Sequence, residues 1–319
     1  MTGVPPLRLA LPPLSLYVHT PWCVRKCPYC DFNSHARTAD LPESAYLDAL
    51  REDLQDDLRW VQARPIRTLF IGGGTPSLLS PDFYARLFEV LQAQLTFADD
   101  IEITLEANPG TVELGRFRGY RQAGINRLSL GIQSFNDKAL QALGRIHDSQ
   151  SACRAIDATR DAGFTRFNLD LMHGLPGQDV DAALTDLRQA LAFEPRHLSW
   201  YQLTLEPNTE FYRRPPPLPD DDLLWAISDA GAERLTQSGF TGYEISAWSL
   251  PGEEARHNLN YWEFGDYLAL GAGAHGKITL PDEDRILRYW KTRQPDAYLR
   301  RIGSRTAGQQ DIPTDERAL

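Results

Sequence analysis

The sequence predicts an α/β protein in which about six strand–helix units form a partial (βα)6 barrel of the TIM type, followed by a smaller α+β C-terminal region. Short apolar runs alternate with amphipathic stretches of helical length through the first two thirds of the chain. Such alternation implies parallel strands joined by right-handed crossovers. Glycines and polar side chains follow the predicted strands, and in such barrels the loops after the strand carboxyl ends carry the chemistry.

The elements of the predicted barrel follow from the spacing of the apolar residues. Short apolar runs predict strands at residues 16–19, 69–71, 101–105, 127–132, 167–171 and 197–203. Apolar residues at helical spacing predict helices at about residues 42–60, 82–95, 112–123, 137–143, 149–162 and 180–192. Five polar or glycine positions fall at the strand ends and are expected at one edge of the sheet: Cys23, Gly73, Glu106, Gln133 and Asp170.

The chain changes character after residue 212. A proline-rich run at 213–219 cannot form regular helix and predicts a boundary between a barrel at 1–212 and a smaller region at 213–319. We predict a helix at 221–238, a strand at 242–247 and an aromatic- and glycine-rich segment at 256–277. Thr314 resembles the N-cap of a helix that is just beginning, so we expect the natural protein to continue beyond Leu319.

Composition limits the classes of function. The 319 residues carry a net charge of −10, which argues against nucleic-acid binding through general electrostatics. No apolar run has the length of a membrane span, and prolines interrupt an N-terminal segment that lacks a signal-peptide pattern. We therefore expect a cytoplasmic protein, in a compartment that keeps thiols reduced.

Three of the four cysteines form a C-x3-C-x2-C pattern after the first strand: Cys23, Cys27 and Cys30. One interpretation is structural zinc with His19 or His35 as fourth ligand, although such sites usually have two separated ligand pairs. A redox dithiol is a second interpretation, without a thioredoxin-like context. A third is a [4Fe–4S] cluster with three cysteine ligands, whose free iron can bind a small ligand.

The cysteine pattern, with Tyr29 beside the last cysteine, resembles the radical S-adenosylmethionine (SAM) superfamily. The run GGGTP at residues 72–76 resembles that superfamily's glycine motif, in which backbone groups approach the methionine end of SAM because no side chain intervenes. The resemblance implies that Cys23, Cys27 and Cys30 hold a [4Fe–4S] cluster.

Over nearly its full length the chain is similar to the oxygen-independent coproporphyrinogen III oxidase family. The matching stretches are YVHTPWC, FIGGGTPS, EANPG, RLSLGIQSF, LGRIH, NLDLMHGLPGQ and YQLTLEPNT. The resemblance implies a SAM site lined by Tyr17, Tyr29, Gly73, Gly74, Thr75, Glu106, Gln133, Arg145 and Asp170. Carboxylates suit the ribose hydroxyls and Arg145 suits the methionine carboxylate.

Two features favour the haem-chaperone branch of that family. Phe32 stands where decarboxylating members have a further cysteine, and the HNxxYW motif of the branch is present as His257, Asn258, Tyr261 and Trp262. The resemblance implies that His257 ligates haem and that the protein delivers haem to acceptor proteins such as membrane respiratory enzymes. It also suggests a homodimer and peripheral contact with a membrane.

Two other functions stay open, and so does the question of whether the protein is an enzyme. One is oxidative decarboxylation of coproporphyrinogen III, and the other is a zinc-stabilised interaction protein. Cys153, Trp60, Trp200 and Trp225 are expected to be packing residues.

Overall fold

Six parallel strands form the centre of the fold, as expected from the alternating pattern. The computed structural model describes residues 9–37, 40–111 and 114–313. The strands are β1 Leu14–Thr20, β2 Trp22–Cys23, β3 His35–Ala36, β4 Ile66–Gly73, β5 Phe97–Ala107, β6 Arg127–Gln133, β7 Phe167–His173, β8 His197–Gln202, β9 Thr241–Gly242, β10 Ala247–Ser249, β11 Asp266–Leu270, β12 His275–Leu280, β13 Arg285–Lys291 and β14 Thr306–Asp311.

The helices α1 to α6 follow the predicted positions closely. They are α1 Glu43–Asp57, α2 Pro81–Gln92, α3 Leu114–Ala123, α4 Asp137–Ala142, α5 Ser149–Asp161, α6 Val180–Ala192, α7 Glu210–Arg213, α8 Asp221–Gln237, α9 Arg256–Trp262 and α10 Pro295–Arg300. Side-chain caps fix several starts: Asp148, Asp179 and Asp220 each accept a hydrogen bond from a first-turn backbone N–H.

The strands form one sheet in the order β14-β13-β12-β11-β1-β4-β5-β6-β7-β8-β10-β9. The run from β1 through β8 is parallel throughout. All seven residues of β6 are buried, which is typical of a parallel strand covered on both faces. Residues from β4 to β8 line one cavity, whereas five strands of a flat sheet would span about 20 Å. The sheet is therefore curved, and the predicted partial barrel is confirmed.

Strands from the last hundred residues extend both edges of this sheet. β11 pairs in parallel with β1 and leads into the antiparallel strands β12, β13 and β14. At the other edge β10 pairs with β8. The sequence did not predict β11 to β14, and the boundary near residue 213 stays a prediction.

The prediction of one strand at 242–247 is wrong. Gly242 pairs with Trp248, so the chain reverses between two short antiparallel strands, β9 and β10. The Tyr243 hydroxyl lies 2.7 Å from His197 Nε2 and accepts a hydrogen bond from Asn258 at 3.2 Å. These bonds hold the turn against the barrel. The helix predicted to begin at Thr314 lies outside the described residues.

A buried charge cluster joins the C-terminal strands to the barrel. The Lys291 ammonium on β13 lies 2.7 Å from Asp53 and 2.8 Å from Asp57, both on α1. Burial raises the pKa of Asp57 to about 7, while the ammonium opposes that rise. Because all three side chains are buried, the cluster fixes β13 against α1.

The expected packing residues behave differently from one another. Trp60 and Trp200 are each 5% exposed, and Cys153 packs against the core from α5. Trp225 is 69% exposed, so its predicted packing role is wrong. The buried positions of α8 include Ile227, and a residue two positions away points to the opposite side of a helix.

Candidate functional site

A cavity of about 410 Å³ lies at the carboxyl ends of the parallel strands. All three clustered cysteines line it, together with most of the residues predicted to bind SAM. These are Cys23, Cys27, Cys30, Tyr29, Gly73, Gly74, Thr75, Glu106, Gln133, Arg145 and Asp170. The structure therefore brings together, from five strands and three loops, residues that are up to 147 positions apart, from Cys23 to Asp170.

The cysteine loop is held by the glycine loop after β4. Gly74 N donates to Thr20 O at 2.6 Å, and Thr75 N donates to Trp22 O at 2.7 Å. A Cβ atom on Gly74 would lie only 2.4 Å from Trp22 O, so this approach needs glycine. The two motifs are thus one structural unit, in which backbone contacts set the position of Cys23.

The thiols lie in a setting that suits a thiolate-bound metal cluster. Burial raises the pKa values of the Cys23 and Cys30 thiols above their ordinary values, while Ser34 opposes that rise. Arg145 Nη1 lies 3.6 Å from Cys27 Sγ. Burial favours the protonated thiol, whereas binding to iron favours the deprotonated thiolate, so a bound cluster would offset the effect of burial. Thiols that converge on one cavity beside a guanidinium therefore fit a [4Fe–4S] cluster.

The three thiols line one cavity but do not form a site for a single metal ion. Within the residues that the structure describes, no three His, Cys, Asp or Glu side chains lie close enough together to hold a single metal ion. Cysteines that bind different irons of one cluster do not need that proximity.

Arg145 is a cation that lines the first cavity and is held in place by hydrogen bonds. Its Nη2 donates to Gly131 O at 2.8 Å and also to Asn108 Oδ1. Its buried Nε has no hydrogen-bond partner in the described parts of the chain. A guanidinium that lines a cavity suits a carboxylate such as that of methionine, because it can donate two parallel N–H groups.

Two carboxylates line the first cavity, and one of them contacts the glycine run. Glu106 accepts a hydrogen bond from Gly73 N at 3.1 Å, and burial together with Asp170 raises the pKa of Glu106 to about 8. Asp170 accepts bonds from Ser129 at 3.0 Å and Asn168 at 2.7 Å. Burial also raises the pKa of Asp170, against these bonds. Carboxylates held in this way can accept hydrogen bonds from ribose hydroxyls.

Gln133 is placed by backbone geometry at the end of β6. Its φ of +68° is in the left-handed region, which is uncommon for a residue with a side chain. Its Oε1 accepts a hydrogen bond from the Tyr201 hydroxyl at 2.6 Å. A strained residue at a cavity edge supports a functional role.

A second cavity of about 430 Å³ adjoins the first. Phe32, Gly73 and Glu106 line both cavities. Tyr17 lies in the second cavity and not in the first, and its hydroxyl is 2.9 Å from His19 Nδ1. Of the residues predicted to bind SAM, Tyr17 is therefore separated from the others.

His257 lines neither cavity. It is 2% exposed, with Nδ1 2.7 Å from Thr68 Oγ1 and Nε2 3.0 Å from the Tyr261 hydroxyl. Burial, followed by the charge of Arg127, lowers the pKa of His257 to about 3. Haem ligation would need one of these bonds to break and the surrounding packing to open. The structure gives that ligation no support, and it stays a prediction.

Two other residues of the HNxxYW motif line the cavities. Asn258 lines the first cavity and Tyr261 lines the second, whereas Trp262 is 55% exposed. The motif therefore connects the two cavities from α9.

Sequence reasoning missed several lining residues. In the first cavity these include Asn108, Ser129, Ser199 and Tyr201, and in the second His275 and Arg293. The position after β5 could have identified Asn108, which lies in the EANPG stretch. His275 and Arg293 follow strands that were not predicted, so no sequence signal placed them there.

In the described ranges, no helix combines the length and the apolar character that crossing a membrane requires.

Comparison with known proteins gives consistent results. The sequence model of the radical SAM superfamily matches residues 17–190. The chain is 55% identical over 311 residues to the heme chaperone HemW of Haemophilus influenzae, covering 96% of this chain and 80% of that relative. It is 54% identical over 307 residues to the heme chaperone HemW of Escherichia coli, with the same coverage of 96% and 80%.

Among solved structures, the radical SAM enzyme coproporphyrinogen III oxidase (HemN) from Escherichia coli matches with a TM-score of 0.83 at 26% identity. The match covers 98% of this chain and 74% of the oxidase.

Proposed function

The chain belongs to the radical SAM superfamily and, within it, to the family of the heme chaperone HemW, and we propose that it binds haem and transfers it to haem-requiring proteins. The observation that carries the proposal is the sequence identity of 55% and 54% to two proteins named heme chaperone HemW, over 96% of this chain. The two adjoining cavities support it, because a chaperone of this superfamily needs room for a cofactor and for a cargo.

The first cavity is the proposed cofactor site. Cys23, Cys27 and Cys30 would hold a [4Fe–4S] cluster, and Arg145 would receive the methionine carboxylate of SAM. When bound, such a cluster supplies an open iron that can chelate SAM and pass it an electron. Glu106 and Asp170 would bind ribose hydroxyls. The remaining wall would consist of Tyr29, Gly73, Gly74, Thr75 and Gln133.

The cluster assignment is tested by comparing cysteine variants. Anaerobically reconstituted wild type should contain about four irons and four sulfides per chain. Cys27→Ser should lose most of both. Cys153→Ser is the matched control, because Cys153 lies on α5 away from the cavity, and it should retain both. Equal iron and sulfide in both variants would contradict the assignment, and zinc in place of iron would favour a zinc-stabilised protein.

Haem binding and transfer test the chaperone function. Ferric haem titrated into the reconstituted protein should give a saturable spectral change. Haem-free acceptor added afterwards should gain the haem. The proposal fails if binding does not saturate, or if the acceptor takes up free haem as quickly as haem supplied by the protein.

Coproporphyrinogen III oxidation is the second candidate, favoured by the match to HemN. Phe32 stands two residues after Cys30, and it is 57% exposed at the junction of the two cavities. A phenyl ring at that position provides no thiol. We therefore expect no conversion of coproporphyrinogen III under anaerobic reducing conditions, and sustained product formation would reverse this preference.

Location and assembly are further parts of the proposal. The free cysteines at positions 23, 27, 30 and 153 suit a reducing compartment, which supports a cytoplasmic protein. A homodimer and peripheral contact with a membrane, where respiratory acceptors lie, are tested by sedimentation of the reconstituted protein with and without anionic vesicles.

A further inference from the structure

The second cavity has the chemistry of a haem pocket, and we propose that haem binds there with His275 as an axial ligand of the iron. This inference rests on the proposed chaperone function and names its cargo site. The cavity volume of about 430 Å³ lies within the range of ~300–1,000 Å³ that is usual for small-molecule sites. The cavity adjoins the proposed cofactor site and shares Phe32, Gly73 and Glu106 with it, so haem bound there would lie next to SAM.

Two histidines line this cavity, and only one has free ring nitrogens. His19 has Nδ1 2.9 Å from the Tyr17 hydroxyl and Nε2 2.9 Å from Asn33 O. The exposed His275 ring makes no hydrogen bond to any residue in the described ranges and packs beside Trp290, with ring centroids 6.3 Å apart. A free imidazole at the start of β12 can turn its lone pair towards a metal, and imidazole is a common haem ligand.

Aromatic rings provide the wall that a flat porphyrin needs. Tyr261 and Tyr267 pack edge to face, with centroids 4.6 Å apart. Tyr17, which also lines the cavity, stacks on Phe70. Phe32 is a further lining ring and is 57% exposed. Such rings combine apolar faces with polar edges, which suits a macrocycle that is apolar except for its carboxylates.

One cation in the cavity can meet those carboxylates. Arg293 is exposed and, among described residues, forms no ion pair, although Asp31 lines the same cavity. A guanidinium binds a carboxylate through two parallel N–H donors. The exposure of His275, Arg293 and Phe32 leaves one side of the cargo open, as release to an acceptor requires.

The same arrangement gives His257 a different role. Its Nε2 lies 3.0 Å from the hydroxyl of Tyr261, while Thr68 holds its other nitrogen at 2.7 Å. His257 therefore positions Tyr261, which forms the cavity wall, and acts on haem through that ring.

The experiment is titration of ferric haem into the reconstituted full chain, followed by absorption and electron paramagnetic resonance. Wild type should show a histidine-ligated spectrum. His275→Ala should lose that spectrum and bind haem at least tenfold more weakly, since losing even a group behind a metal ligand costs ~10–100-fold. His173→Gln is the matched control because His173 lines neither cavity, and it should behave as wild type. Imidazole added to His275→Gly should restore the spectrum.

The possible outcomes distinguish a wrong assignment of the haem ligand from a wrong assignment of the chaperone function. An unchanged spectrum in His275→Ala overturns the assignment of the ligand while leaving haem binding intact. If His257→Gln loses the histidine spectrum while His275→Ala keeps it, His257 is the ligand. That result also overturns the assignment of His275. Failure of wild type to bind haem overturns the chaperone function itself. Unaltered SAM binding and iron content in His275→Ala show that the variant has folded.

Discussion

Gly74→Ala should displace the cysteine loop, because the contact between the two motifs consists of backbone atoms. The new Cβ would lie 2.4 Å from Trp22 O and 3.0 Å from Thr20 O, and neither oxygen can rotate away. Relief requires stretching the hydrogen bonds Gly74 N to Thr20 O and Thr75 N to Trp22 O, now 2.6 and 2.7 Å long. Overpacking costs ~1–3 kcal/mol and each hydrogen bond ~0.5–1.5 kcal/mol, which together give a loss of about 2–6 kcal/mol.

Two measurements check this expectation. Urea unfolding of the cluster-free protein gives the change in free energy of unfolding, and iron and SAM content after reconstitution show whether Cys23 is still in place. The control is Gly115→Ala on the exposed side of α3, where no atom lies within 4 Å of the new Cβ. It should stabilise the protein by ~0.5–1 kcal/mol. A Gly74→Ala protein within 1 kcal/mol of wild type, with normal iron and SAM, would refute the reasoning.

Three further outcomes are expected. Lys291→Met should lower the free energy of unfolding by ~3–5 kcal/mol, and by more at pH 8 than at pH 5. The ammonium opposes the burial that raises the pKa of Asp57 to about 7, so without it the Asp57 carboxylate beside Asp53 is harder still to form at high pH. Glu106→Gln should remove a pH dependence: burial raises the folded pKa to about 8 from 4.5, so wild type without cofactors loses stability as pH rises through that window, and the variant should lose less. Arg145→Gln should weaken SAM binding by roughly 10–100-fold, the equivalent of ~1.5–3 kcal/mol for a charged hydrogen bond, measured by equilibrium dialysis.

For each of these three predictions, a specific result would contradict the reasoning. A loss below 1 kcal/mol in Lys291→Met would mean that water or local rearrangement solvates the two carboxylates. Parallel pH profiles for wild type and Glu106→Gln would mean that this carboxyl is already ionised in the folded protein. Normal SAM affinity in Arg145→Gln, compared with the exposed control Arg301→Gln, would remove Arg145 from the binding site.

The helices and motifs of the barrel could be recognised in the sequence because each depends on residues that are close together along the chain. The run 180–192 gives apolar residues at helical spacing and an N-cap at Asp179, and the observed helix has those bounds. The cysteine triplet and the glycine run are equally local. Burial of the parallel strands on both faces makes their apolar runs easy to recognise.

The C-terminal strands were missed because their stabilising contacts are distant in sequence. β11 is a strand because it pairs with β1, more than 240 positions earlier, and β13 is fixed by Lys291, whose partners lie on α1. β-propensity depends strongly on such neighbours. No window of the sequence contains both partners.

The sequence by itself determined the cysteine triplet, the glycine run and the six central parallel strands, and hence the superfamily. Tertiary structure alone decided which residues face which cavity. His257 stands out in the sequence, yet Thr68, Phe70 and Tyr261 enclose it, while His275 stands in no motif and faces the second cavity. The reason is physical: residue type fixes what a side chain can bind, but the burial and hydrogen bonding supplied by distant segments fix whether it is free to bind.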